Sequence, residues 1–152
     1  MEKRTRGKPV FDKFHHVGAV VRDMDQALAN LSSLGISPMR MPEGQTVVEV
    51  PFQGEVRGKP AEWKAKISMT KVGDLDLELL QPAGGESVLQ EFIDSGREGV
   101  HHVAYIVEDV DGEAAKLVKQ GAEVIMSGKA ARGGFVYLET GSGIILELRG
   151  FG

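Results

Sequence analysis

Phe14-His15-His16-Val17-Gly18-Ala19-Val20-Val21-Arg22-Asp23-Met24-Asp25 is matched further along the chain by Val100-His101-His102-Val103-Ala104-Tyr105-Ile106-Val107-Glu108-Asp109-Val110-Asp111. His102 stands 86 positions after His16, and the same offset pairs Leu31 with Leu117 and Gly35 with Gly121. A match that runs through a strand, a helix and a helix stop marks an internal repeat, and a repeat decides the architecture before any local reading does. In each copy a run of Val and aromatic residues, good strand formers, gives way to an Asp that can cap a helix by accepting from its free N–H groups. Asp23 and Asp109 are those caps. The helices are predicted over about 24–34 and 110–120, each ending at a glycine suited to the left-handed position after the last turn.

Three strands are expected to follow in each copy. In the first they fall near 39–50, 64–72 and 74–81, with Gly73-Asp74 as the last turn; in the second, near 122–127, 134–139 and 143–149, with Gly141-Ser142-Gly143 turning the final hairpin. Leu77-Glu78-Leu79 matches Leu146-Glu147-Leu148 at an offset of only 69, so the first copy carries 17 more residues. That insertion is assigned to Gln53-Gly54-Glu55-Val56-Arg57-Gly58-Lys59-Pro60 and read as a loop. Between the copies, Val88, Leu89, Phe92 and Ile93 have helical spacing and predict a linking helix over about 86–96. The 152 residues are thus expected to form one α+β domain built of two tandem βαβββ modules, about 12–82 and 99–150.

Composition excludes several classes of function. A hydrophobic share of 41% and a charged share of 26% are those of an ordinary soluble globular protein. No apolar run approaches the ~20 residues that span a bilayer. The basic start, Met1 to Pro9, is not followed by an apolar segment, so a secretory signal is not expected and a cytoplasmic location is. A net charge of −4 argues against a nucleic-acid partner, whose phosphates demand a basic face. There is no GxxxxGK[ST] run and no strand-associated GxGxxG for a nucleotide. With no cysteine, a bound metal must be held by imidazole and carboxylate.

Strand parity then gathers four such groups. Side chains alternate across a strand, so Val17, Ala19 and Val21 share one face, as do Val103, Tyr105 and Val107, and these apolar faces should pack on the helices. His16 and His102 fall on the other face beside the small Gly18 and Ala104, which leave room for something to bind. His15 and His101 share the helix-packing parity and are read as structural. Glu78 and Glu147 are flanked by leucines that face the core, so both carboxylates project to the opposite side with His16 and His102. Two imidazoles and two carboxylates suit Zn, Ni, Co, Mn or Fe as divalent ions with open positions for substrate or water. Glu49, in the Val47–Val50 run, is either a solvated edge residue or a base, and Arg132-Gly133-Gly134 either a ligand loop or a plain turn.

The paired His-His-Val strands and the two Leu-Glu-Leu strands resemble those of the vicinal oxygen chelate superfamily, which includes glyoxalases, methylmalonyl-CoA epimerases, extradiol dioxygenases and bleomycin-resistance proteins. The likeness covers Phe14 to Arg149. It is greatest to the epimerases, through Leu77-Glu78-Leu79-Leu80-Gln81-Pro82, the helix opening at Glu86-Ser87, and Gly96-Arg97-Glu98-Gly99-Val100-His101-His102. The resemblance implies a mixed sheet curved around a divalent metal on His16, Glu78, His102 and Glu147, and commonly a homodimer. It also implies proton transfer at a carbon next to a carbonyl, with Glu49 and Glu147 as the acid–base groups and a small carbonyl compound, in the epimerases an acyl-CoA, as substrate. A glyoxalase-type lyase and a non-catalytic ligand-sequestering protein are the alternatives within the superfamily. The chain departs from the epimerase pattern in having Glu139-Thr140-Gly141-Ser142 where a His-Pro-Lys run is usual, and in the insertion followed by Trp63; both bear on the substrate pocket.

Overall fold

A computed structural model describes residues 13–129 and 133–151; the basic segment 1–9 and Arg132 lie outside the described residues. In chain order the elements are β1 (Phe14–Val20), α1 (Met24–Ser33), β2 (Val48–Val56), β3 (Lys59–Val72), β4 (Leu75–Gly85), α2 (Val88–Asp94), β5 (Gly99–Ile106), α3 (Val110–Lys119), β6 (Glu123–Gly128), β7 (Phe135–Glu139) and β8 (Ile145–Arg149). This is the βαβββ pattern twice, with α2 as the link.

The repeated helix signals work alike in both copies. Asp23 accepts from the Gln26 N–H at 3.1 Å, and Asp109 from the Gly112 N–H at 3.0 Å. At the other end Ile36 N–H donates to the Leu31 carbonyl and Ala122 N–H to the Leu117 carbonyl, each at 3.0 Å. That wrap requires a left-handed residue in between, supplied by Gly35 (φ 84°) and Gly121 (φ 105°).

The expected curved sheet closes into a barrel with strand order β1-β4-β3-β2-β6-β7-β8-β5. Within the modules β1 runs parallel to β4 and β5 parallel to β8. The modules meet along two antiparallel seams, β1–β5 and β2–β6. Outside, α1 covers Ala19, Val21 and Leu79 with Met24, and α3 covers Val136, Leu138 and Leu148 with Val110 and Ala114. Leu138 and Leu148 are wholly buried there, a contribution of about 1.5–3 kcal/mol each. Val107 joins the α3 layer as its parity predicts, whereas Val103 and Tyr105 are only half-buried, the Tyr105 ring meeting Phe14 edge-on. Inside, α2 sets Val88 and Leu89 against Val20, Trp63, Leu80, Met126 and Tyr137.

The segment from Gln53 to Pro60 is not a loop. It forms the end of β2, a two-residue turn and the start of β3, and the register continues from Val48↔Ile67 to Val56↔Lys59. Arg57 (φ 50°) and Gly58 (φ 80°) are both left-handed, the backbone of the turn whose twist suits a tight hairpin. Gly54 reads as a turn residue in sequence, yet it marks a close crossing: a Cβ there would collide with the Ser127 carbonyl of β6. The strand predicted over 39–50 begins only at Val48, and residues 39–47 are largely irregular. No helix among the described residues is long and apolar enough to cross a membrane.

Candidate metal centre

Four strands bring their side chains to one point inside the barrel. His16 comes from β1, Glu78 from β4, His102 from β5 and Glu147 from β8. Leu79 and Leu148, beside the two glutamates, are buried under α1 and α3, so strand alternation drives both carboxylates inward. The four donor groups lie within 4.8 Å of one another. His16 Nε2 stands 3.3 Å from Glu78 Oε1 and 3.3 Å from Glu147 Oε1, and His102 Nε2 is 3.1 Å from Glu147 Oε1. Ligands at ~2.1 Å from a common ion are spaced by about 3.0–3.4 Å, so the separations suit a shared metal. His16 Nε2 and Glu147 Oε1 are buried without hydrogen-bond geometry to any described residue, a costly condition that an ion would relieve. The residues present therefore fit a divalent metal.

Parity fails at the two neighbouring histidines, for an identifiable reason. Phe14 pairs with Tyr105 and His16 with Ala104, so His15 is an extra residue in β1; Gly18 pairs with His102 and Ala19 with Val100, so His101 is extra in β5. Each is a bulge, which re-aims its side chain. Instead of facing the helices, His15 brings Nδ1 to 2.7 Å from His16 Nδ1, and His101 brings Nδ1 to 3.0 Å from His102 Nδ1. Phe92 of α2 supports the His101 ring edge-on at 4.9 Å.

Both outer imidazoles are held neutral. Burial, then the charges of Arg149 and His16, lower the pKa of His15; burial, then His102 and Arg97, lower that of His101 to about 3. A neutral outer ring can accept the Nδ1–H of the inner ring, which leaves the inner Nε2 lone pair facing the cluster. The same device thus appears once in each half.

In the metal-free protein His16 is protonated and Glu147 ionised. Burial opposes the charge on His16 but is outweighed by the Glu147 and Glu78 carboxylates, which raise its pKa to about 9. Burial likewise works against the Glu147 carboxylate, and His102 and His16 outweigh it and hold the group below the usual carboxylate range. A raised histidine pKa stabilises the fold fully below its unfolded value near 6.5, and that contribution is lost as pH climbs through about 9. The metal-free protein is therefore expected to melt at progressively lower temperature between these two values. Over the same interval metal affinity should rise about tenfold per pH unit, because binding displaces the His16 proton. Calorimetry and competition titration across that range check both trends; a flat affinity profile would contradict the protonated cluster.

A cavity of about 600 Å³ opens onto the cluster, with Glu78, Glu147, Tyr137 and Arg149 as its ionisable lining and Phe52, Trp63 and Phe135 among its walls. Burial, with the charges of Glu147 and Glu78, pushes the Tyr137 phenol well above its ordinary pKa, so it remains a neutral donor. Its hydroxyl lies 3.4 Å from His102 Nε2. Glu49 is not brought to this site. It is exposed, opposite Lys66 in the β2–β3 register, and of the parity opposite to Phe52 and Val56, which face the barrel core. Tyr137 and Arg149 escaped the sequence reading although the signal was present: Tyr137 pairs with Glu147 across β7–β8, and Arg149 shares the parity of Glu147.

The profile of the Glyoxalase/Bleomycin resistance protein/Dioxygenase superfamily matches residues 15–137. Among solved structures the chain resembles methylmalonyl-CoA epimerase from Mycobacterium tuberculosis (18% identity, 98% of this chain and 94% of that one covered, TM-score 0.64). It is similar to methylmalonyl-CoA epimerase of Streptomyces coelicolor in complex with 2-nitronate-propionyl-CoA (22%, 92% and 94%, TM-score 0.63). A hypothetical protein from Bacillus halodurans is as similar (22%, 92% and 94%, TM-score 0.63). No curated protein sequence matches the chain. With the profile spanning most of both modules and the eight-stranded fold in agreement, the chain belongs to the glyoxalase/bleomycin resistance/dioxygenase superfamily, the vicinal oxygen chelate proteins.

Proposed function

We propose that the protein is a metal-dependent isomerase that moves a proton at the carbon next to a carbonyl group, a chemistry of the methylmalonyl-CoA epimerase kind. The observation that carries this reading is the buried His16–Glu78–His102–Glu147 donor set, with unsatisfied His16 Nε2 and Glu147 Oε1, at the wall of a cavity large enough for a small molecule. A divalent ion bound there would supply Lewis acidity toward the substrate's carbonyl oxygen, an effect of several kcal/mol. Glu147 takes the proton from the α-carbon, a positioned carboxylate being worth roughly 10²–10⁴-fold in rate. Epimerisation also needs a group on the other face of the planar intermediate. Glu78, which reaches the cavity from β4 in the other module, fills that part in place of the outward-facing Glu49. Tyr137, held as a neutral phenol, donates to the oxygen on which negative charge develops. His15 and His101 keep the inner imidazoles in one tautomer. Under this reading the enzyme works in the cytoplasm as a homodimer, which sedimentation equilibrium would report as twice the chain's mass.

Incubation with methylmalonyl-CoA in D₂O tests the proposal. Deuterium should appear at the α-carbon, stop on chelation and resume when metal is returned, and Glu49→Gln should exchange within about twofold of the parent, as for a surface change away from the site. Turnover of a glutathione hemithioacetal without α-exchange of the acyl-CoA would assign a glyoxalase-type lyase instead. Ligand binding by chelated protein with no turnover of either compound would assign a sequestering protein.

A further inference from the structure

Beyond the metal cluster the cavity is lined by one charged group that has no ion pair among the described residues. Arg149 lies two residues past Glu147 on β8 and lines the same cavity, about 7 Å further along at the usual strand rise. Among the described residues it forms no ion pair, while the Glu147 carboxylate is already engaged by His16 and His102 at 3.3 and 3.1 Å. Arg149 is the only basic side chain among the described residues that line the cavity. Its influence reaches the interior, since it depresses the pKa of His15.

The surrounding wall is apolar and aromatic. Phe52 stacks on Trp63 with ring centres 5.6 Å apart and planes at 14°, and Phe135 meets both edge-on at 5.7 and 6.4 Å. Phe135 also stands directly opposite Arg149 in the β7–β8 register. In such low-dielectric surroundings an unpaired guanidinium attracts an anion far more strongly than it would in water, and its planar fork suits a carboxylate. At about 600 Å³ the cavity also exceeds what a three- or four-carbon acyl group fills.

We propose that Arg149 determines specificity by anchoring a carboxylate on the substrate, so that the site takes carbonyl compounds bearing an anionic group at the far end of an apolar, aryl-sized body. The carbonyl half of this statement rests on the isomerase reading; the anion half rests on Arg149 and the aromatic wall alone.

Trp63, the sole tryptophan, sits in that wall and reports on occupancy. Its fluorescence is titrated at pH 7.5 with 3-phenylpropanoate and with the neutral isostere 3-phenylpropanamide. Parent protein, Arg149→Met and Arg149→Lys are compared, each metal-free and zinc-loaded. The carboxylate should bind the parent protein at least about tenfold tighter than the amide in both metal states. Arg149→Met should erase the preference and Arg149→Lys keep part of it. Equal binding of acid and amide, a preference that survives in Arg149→Met, a preference present only with zinc, or no response to either compound at millimolar concentration would each overturn the anchor. Failure of zinc to bind would sink the isomerase reading alone, because the anion preference is expected without metal.

Discussion

Glu147→Gln is expected to lower metal affinity by at least about 100-fold, a loss at or beyond the upper end found for groups that merely support a ligand. It should also reduce α-proton exchange by roughly 10²–10⁴-fold or more, since the same substitution removes the base. Glu147 is 5% exposed and faces both histidines, so its carboxylate serves the two halves of the site at once. Gln has the same shape and can still occupy the pocket, which separates loss of charge from loss of packing; an unchanged circular dichroism spectrum would establish that the barrel persists. A second signature follows from the charges. With Glu147 neutral, the leading cause of the raised His16 pKa disappears, and the pH dependence of melting in the metal-free protein should weaken between about 6.5 and 9. Exchange at the parent rate in this variant would mean that Glu147 is not the base.

Gly18→Ala is the second large effect, and it acts without touching a donor atom. Gly18 faces His102 across the β1–β5 seam, and a Cβ added there would collide with the His102 ring at Cε1, Nε2 and Nδ1. Its φ is not left-handed, so the requirement for glycine is room for the imidazole, not backbone freedom. To admit the methyl group either β1 and β5 spread or the ring swings off the cluster. Overpacking of this kind costs about 1–3 kcal/mol, which for a chain of this size lowers the melting temperature by about 2–4 °C per kcal/mol. Metal affinity should fall at the same time because Nε2 of His102 is displaced. The matching position in the other half is Ala104, opposite His16, where a Cβ is accommodated; the two ends of this seam are therefore not interchangeable. Thermal melts together with a zinc titration check the pair of effects, and an Ala variant with parent affinity would mean that the His102 ring is not part of the site.

The features legible in the sequence were those fixed by local chemistry or by repetition. The caps at Asp23 and Asp109, the glycine stops and the alternation around Glu78 and Glu147 are each set by a few adjacent residues, and their recurrence in both copies picked out His16, Glu78, His102 and Glu147 from the other acids and histidines. Counting parity through His15 and His101 misplaced those two rings, because a bulge adds a residue without leaving a compositional mark. The β2–β3 hairpin was hidden in the same way. Gly54 and Gly58 look alike in sequence, but one turns the chain and the other lets β6 pass close by, a distinction decided by a strand more than 60 positions away. Closure of the barrel along β2–β6, and with it the cavity wall formed by Phe52, Trp63 and Phe135, depends on such distant pairings. Glu49 shows the converse: a family likeness suggested its role, while the pleat of β2 turns its side chain outward.

The account stands on the convergence of four side chains upon one ion. Crystals grown with zinc and measured at the zinc absorption edge test it directly. A single anomalous peak is predicted inside the barrel, within roughly 2.0–2.2 Å of His16 Nε2, His102 Nε2 and one carboxylate oxygen each from Glu78 and Glu147. A fully loaded crystal with no peak there, or with zinc held by other residues, would contradict it.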